Sequence, residues 1–209
     1  LKGIAKYLRN TLDWGILYWR PTDMPSLPLV PLQFPIPKDD LPTFPLFSDP
    51  FLLTGYVDAA HATERVKRCS TPGYGLLLAV GIVAYRSKTQ TITATSSTED
   101  EFIAAVSAAK VAKYLRSILS QLGFPQKSAT PLYEDNESAI KMINAGKPTE
   151  RSRHIDIQYF AIQDWRQAGD IILKSIPGII NPADDFTKAL GWVLHSRHAR
   201  RLMGHYGYT

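Results

Sequence analysis

Residues Thr95–Ala109 read TSSTEDEFIAAVSAA: small hydroxyl side chains, a burst of acid, then an alanine-rich amphipathic run. Phe102, Ala105, Val106, Ala109, Ala112, Leu115, Ile118, Leu119 and Leu122 recur at spacings of three and four. That pattern is one apolar stripe of a helix of about six turns, long enough to cross a sheet. Glu99, Asp100 and Glu101 follow Ser96, Ser97 and Thr98, so capping boxes fit from Ser96 to Glu99 and from Thr98 to Glu101. Within this window, capping and a catalytic acid are both open readings, because the helix dipole favours acids at any N-terminus.

Working outward, the flanks alternate between strand and helix signals. Upstream, the apolar run Phe51–Val57 ends at Asp58 and reads as a buried strand that stops, or bulges, at a carboxylate. A polar loop with Arg65, Lys67 and Arg68 follows, then Tyr74–Val80 and Ile82–Arg86 as a hairpin around Gly81, then Thr91–Thr95 leading into the long helix. Downstream, Gly123 and Pro125 stop that helix. Pro131–Glu134 reads as a short strand, and Asp135-Asn136 opens a helix to about Asn144, closed by Gly146 and Pro148. Arg151–Ala168 reads as a helix with Ile155, Tyr159, Ile162 and Trp165 on one side, and Ile171–Ile176 as the last strand. Asn181 as N-cap and Pro182 at the first helical position predict a final core helix with Asp184 and Asp185 in its first turn. The fold class is α/β.

The 209 residues suffice for one good core and a small appendage. With 44% hydrophobic and 21% charged residues and no run of 18 apolar ones, a soluble protein is expected rather than a membrane span. A net charge of +5 permits a polyanionic partner without requiring one. Cys69 stands alone, which excludes an internal disulfide and fits a reducing compartment. Leu1–Leu17 fits a short amphipathic helix running into a strand at Gly15–Trp19. Arg20–Pro50 holds nine of the fifteen prolines, which predicts an extended tether and a domain boundary. The start at Leu1, without a signal-peptide pattern, is read as a piece of a longer polypeptide.

Asp58, Glu101, Asp135 and Asp184 share a placement: each lies at a strand end or in the first turn of a helix. In a mixed α/β sheet such positions gather at one edge, where ligands bind. Carboxylates packed together repel unless a cation neutralises them. Hard oxygen donors without a Cys/His cluster point to Mg2+ or Mn2+, and two such ions about 4 Å apart suit phosphodiester cleavage.

The strings TGYVDAAH (54–61), RCSTPGYGLLLAVGIVAYRSKTQTITATSSTEDEFIAA (68–105), PLYEDNESAI (131–140), RSRHIDIQYFAIQDW (151–165) and NPADDFTKAL (181–190) together resemble the ribonuclease H domain that ends Ty1/copia-type retrotransposon polyproteins. The resemblance covers about Leu52–Leu190. It extends to residues 1–19, which are similar to the segment joining the reverse transcriptase to this domain, and HARRLMGHYGYT (198–209) looks like the natural end of such a polyprotein.

It implies a ribonuclease H-like fold with a five-stranded mixed sheet flanked by helices. It also implies an acidic site of Asp58, Glu101, Asp135 and Asp184 holding two Mg2+ or Mn2+ ions, and endonucleolytic cleavage of the RNA strand of an RNA–DNA hybrid during reverse transcription. Glu99 and Asp100 are left as capping or solvated acids, and Asp185 as the neighbour of the fourth acid. The implied domains are 1–20 as the end of the reverse transcriptase, 21–50 as linker, 51–191 as ribonuclease H and 192–209 as a basic tail. The implied partners are the hybrid and an upstream reverse transcriptase, with no membrane, inside the cell in a retrotransposon particle or the nucleus.

Candidate substrate contacts are Asn136, at a ribose 2′-OH or as a structural helix start, Ser96 and Ser97, at the backbone or only as caps, and Arg68, Lys88, Lys110, Lys113 and Arg116, as a phosphate-tracking stripe or a solvated face. Arg151, Arg153 and His154 fit the pattern's basic-His stretch. The sequence departs from the pattern twice: His61 stands where tryptophan is usual, and Ile176–Ala183 lacks the histidine that cellular ribonucleases H carry before their last helix. The alternatives are a catalytically weak hybrid-binding module supporting the polymerase, a structural remnant, and another polynucleotidyl transferase of the same fold.

Overall fold

Strands β1 (Thr54–Ala60), β2 (Thr71–Leu78), β3 (Gly81–Ser87), β4 (Thr130–Glu134) and β5 (Ile171–Ser175) form one sheet in the order β3-β2-β1-β4-β5. β1 pairs antiparallel with β2 and parallel with β4; β2–β3 is antiparallel and β4–β5 parallel. The five-stranded mixed sheet expected from the motifs is therefore present. This computed structural model describes residues 2–12, 14–18, 49, 51–61, 70–90, 96–145 and 156–204. The expectations for the tether, for Arg65, Lys67 and Arg68, for the run Thr91–Thr95 and for Arg151, Arg153 and His154 fall outside the described residues.

β1 is the centre of the sheet and is buried at every position. It runs three residues past the predicted end, through Asp58 to Ala60, because Asp58 is paired in the interior and does not terminate the strand. One sheet face packs against helix α2 (Ser97–Gln121), with Val57, Leu132, Phe102, Ala105, Ala109 and Tyr159 in the shared core. Ala104, Ala105, Ala108, Ala109 and Ala112 are all fully buried, so α2 lies close to the strands. Each large side chain sealed here, such as Phe102 at 0% exposure, contributes roughly 1.5–3 kcal/mol. Helices α3 (Glu137–Asn144) and α4 (Asp156–Gln167) complete this layer. The stripe predicted to run to Leu122 is fully buried through Ala112, stays packed on the core at the partly buried Leu115, and ends exposed at Leu122.

The opposite face is thinner. Tyr56, Leu77, Ile176, Ile180, Ala183 and Leu202 form its core. It is covered by two 3-10 turns, Gly178–Ile180 and Pro182–Phe186, and by helix α5 (Trp192–Leu202). The predicted last core helix is thus only five residues long, although Asn181 caps it as expected, accepting from the Ala183 amide at 3.1 Å. It ends because Thr187 turns out of helical geometry and bonds Asp58. Much of the stretch expected to be a basic tail is α5, which buries His198, Ala199, Arg201 and Leu202, with Arg201 donating to the Tyr56 hydroxyl at 2.8 and 3.1 Å.

Helix α1 (Lys2–Asn10) forms, but residues 14–18 make no strand. They dock beside α5, with Trp14 and Trp192 rings 6.0 Å apart and the Leu17 amide on the Met203 carbonyl at 2.8 Å. The β2–β3 turn falls at Ala79 and Val80, at φ of 50° and 63°, and not at Gly81. Gly81 opens β3 instead, where a Cβ would lie 2.6 Å from the Leu17 carbonyl oxygen.

Gly73 does comparable work for the thin face. A Cβ there would sit 2.6 Å from Thr187 Cγ2 and 2.7 Å from Phe186 Cβ, so the bare backbone of β2 lets the Pro182–Phe186 turn settle on the sheet. Gly73→Ala is expected to destabilise the protein by about 1–3 kcal/mol through overpacking. Denaturant unfolding measures this, and an unchanged midpoint would contradict the close approach.

Candidate metal centre

The site is assembled from three register relations. β1 and β4 run parallel with Tyr56 beside Tyr133, so Asp58 and Asp135, two residues further on each chain, lie at the same end of the sheet. Asp58 pairs across β2 with Gly73, where the missing side chain admits Thr187, whose hydroxyl donates to Asp58 Oδ2. Asn181 is buried and donates from Nδ2 to the Val57 carbonyl at 2.7 Å, bolting the turn that carries Asp184 onto β1. From the other face, α2 begins at an N-cap formed by Ser96, which accepts from the Glu99 amide at 3.2 Å. Glu101 is thereby free of a capping role and is buried, at 6% exposure.

One carboxylate oxygen from each of Asp58, Asp135 and Asp184 lies within 4.8 Å of the others, and the same holds for Glu101, Glu134 and Asp135. Asp135 belongs to both groups. A cleft of about 480 Å3 is lined by Asp58, Glu101, Asp135, Asn136, Glu137 and Lys188. The four acids singled out in the sequence are therefore brought together. The sequence reading gives no role to Glu134, Thr187 or Lys188. Glu134 had a signal: it shares the inward face of β4 with Thr130 and Leu132, an acid at a position that alternation makes buried. Lys188 is half-exposed, and its ammonium lies 2.8 Å from Asp184 Oδ1 and 3.3 Å from Asp58 Oδ1.

Burial and crowding set the protonation. Burial, reinforced by the charges of Glu134, Asp58 and Asp135, pushes the Glu101 carboxyl up to about 11. Burial also raises Glu134 well above the usual carboxylate range and raises Asp135, with Asp58 adding repulsion. Asp184 rises to about 6 through burial, against the opposing hydrogen bond from Lys188. Burial would lower Lys188, but the hydrogen bond to Asp184 and the charge of Asp58 hold it above the ordinary lysine range.

The residues fit a divalent cation. Glu101 Oε2 and Glu134 Oε2 are buried without a hydrogen-bond partner, a costly state for an acceptor. Both acid groups consist of carboxylates alone, the donor set of Mg2+ and Mn2+.

Other candidates land elsewhere. Asn136 lines the cleft, but its Oδ1 caps α3 by accepting from the Ser138 and Ala139 amides at 3.0 and 3.1 Å. Lys88, Ser97 and Lys110 are exposed. The expected phosphate stripe is broken: Arg116 is a structural clamp on the Ser128 and Gln126 carbonyls, and Lys113 pairs with Asp170 at 3.3 Å. Asp185 turns away from the cluster to His195 Nδ1 at 3.0 Å. Asp100, expected to cap or be solvated, is fully buried and ties Ser70 Oγ and His61 Nδ1, both at 2.6 Å.

No family model matches the chain. It is 35% identical over 143 residues to the retrovirus-related Pol polyprotein from transposon TNT 1-94 of Nicotiana tabacum, covering 68% of this chain and 11% of that polyprotein. The chain spans about a tenth of the length of such curated relatives. Among solved structures, the foamy viral protease-reverse transcriptase in complex with RNA/DNA hybrid aligns at TM-score 0.50 and 15% identity, covering 82% of this chain and 24% of that one. LC11-RNase H1 in complex with RNA/DNA hybrid aligns at TM-score 0.48 and 12% identity, covering 65% of this chain and 93% of that one. The chain is a homologue of the retrovirus-related Pol polyproteins of plant Ty1/copia-type transposons, and its own five-stranded mixed sheet with flanking helices is a ribonuclease H-like fold.

Proposed function

We propose that the chain is a metal-dependent ribonuclease H that hydrolyses the RNA strand of RNA–DNA hybrids, working beside a reverse transcriptase inside the cell. The observation that carries this reading is the convergence of Asp58, Glu101, Asp135 and Asp184, with Glu134, at one end of the sheet. The relatives' Pol context and the hybrid bound in the foamy viral structure support the substrate class. Among the described residues no helix is long and apolar enough to cross a membrane.

Asp58, Asp135 and Asp184 would hold one cation and Glu101, Glu134 and Asp135 the other. Bound Mg2+ or Mn2+ supplies an activated water and a counter-charge for the leaving oxygen. The protein's own part is to fix the donors beforehand. Thr187 occupies Asp58 Oδ2, Asn181 pins the turn carrying Asp184 to β1, and the Asn136 amide, on Glu134 Oε1 at 3.0 Å, orients Glu134. A catalytically weak hybrid-binding module is the second reading, favoured by the lack of histidine in Ile176–Ala183.

Two outcomes are expected. First, the purified chain cleaves the RNA of a hybrid with Mg2+ or Mn2+, and Asp135→Asn lowers the rate by about a thousandfold or more, ~4 kcal/mol of barrier, with an unchanged circular dichroism spectrum. Activity that is indifferent to the substitution contradicts the site; hybrid binding without cleavage selects the weak module.

Second, metal binding expels protons. A carboxyl raised to about 11 is protonated at pH 7.5 in the metal-free protein, whereas its metal-bound form is deprotonated. Affinity therefore rises with pH up to the raised value, by about tenfold per pH unit for each proton released. Titration calorimetry of Mn2+ in buffers of different ionisation enthalpy should show at least about one proton released at pH 7.5. Glu101→Gln should remove that proton, and a wild-type value of zero would contradict the buried, protonated pair.

A further inference from the structure

The two acid groups are neutralised in different ways, and the difference lies in where Lys188 stands. Its ammonium bridges Asp58 Oδ1 at 3.3 Å and Asp184 Oδ1 at 2.8 Å, the first and last members of one three-carboxylate group. Its hydrogen bonds and ion pairs among the described residues go to these two, and Glu101 in the other group feels it only through charge at a distance. The placement follows from the chain. Lys188 comes four residues after Asp184, just past Thr187, the residue that closes the short 3-10 turn and is anchored on Asp58. The stem therefore starts within reach of both carboxylates. Asp58 is at 1% side-chain exposure and Asp184 at 14%, whereas Lys188 keeps 42% exposed on the cleft wall.

We infer that Lys188 is a resident internal cation. It holds Asp58 and Asp184 together when no metal is bound, and a divalent ion entering that group displaces it into solvent. The inference rests on the proposed metal site and adds a competitor within it. One ammonium and one divalent ion would compete for Asp58 Oδ1, because Asp58 Oδ2 is already taken by Thr187, and for the Asp184 carboxylate. A flexible four-carbon stem with an exposed flank leaves without breaking the core. The carboxylates, fixed by β1 and by the Asn181 anchor, stay behind. The site is thus kept assembled in the absence of metal, at the cost of a lower affinity for it.

Two measurements on the full chain test this. In the first, the wild-type protein is reductively methylated with and without saturating Mn2+, and the modification of each lysine is read by peptide mass spectrometry. Lys127, exposed on the loop before β4, is the internal reference. The expected result is that Mn2+ raises the Lys188 rate relative to Lys127 by at least about threefold, as a paired amine becomes free. In the second, calorimetry compares Mn2+ binding to the wild type and Lys188→Met, with about fivefold tighter binding expected for the variant. Mn2+ binding with no rise in Lys188 reactivity, or equal or weaker binding by a folded Lys188→Met protein, overturns the inference while leaving the metal site standing. Failure of both proteins to bind Mn2+ overturns the metal site and the inference with it.

Discussion

Five carboxylates share one end of a sheet, and three of them, Asp58, Glu101 and Glu134, are nearly sealed from water. Like charges confined in this way repel strongly in a medium less polar than water. The fold meets the conflict in two ways: burial raises the Glu101 and Glu134 carboxyls above their usual range, and the Lys188 ammonium bridges Asp58 and Asp184. A cluster serving only stability would be better built from apolar side chains, since a buried ionic group costs more to desolvate than it returns. The expense is intelligible as preparation for a ligand of opposite charge.

The remaining architecture serves to bring these acids to one place from four distant parts of the chain. The central strand and its parallel neighbour supply the first and third acids in fixed register. The alanine-rich flank of α2 lets the helix approach until Glu101 meets Glu134 on the face of the sheet that α2 covers. On the thin face, the bare backbone at Gly73 and the two-way hydrogen bonding of Asn181 bring in the fourth acid. The N-terminal segment adds a brace. Tyr7 bonds His195 at 3.0 Å, and His195 in turn bonds Asp185, next to Asp184.

Much of this was legible in the chain. Strand and helix periodicities located the five strands of the described residues to within a few residues, and the ordered motifs named four acids that the structure places together. What escaped was set by tertiary contact. Gly81 looked like a turn residue because glycine is the usual choice at positive φ, yet the chain turns on Ala79 and Val80 and keeps Gly81 for a close approach. Asp100 and Glu101 are adjacent acids at a helix start. Only the helix's rotation over the sheet decides that one faces the cleft and the other is fastened to His61 and Ser70. Arg116 and Lys113 looked like a nucleic-acid stripe because periodicity cannot reveal that carbonyls and Asp170 lie opposite them. Arg201 and His198, basic by composition, are buried because α5 closes the thin face.

The most direct measurement is anomalous diffraction from crystals of the full chain soaked in Mn2+. The account predicts anomalous density between the Asp58, Asp135 and Asp184 carboxylates and beside Glu101 and Glu134. Ordered crystals with these carboxylates in place, but with Mn2+ absent from the cleft or bound only elsewhere on the surface, would contradict it.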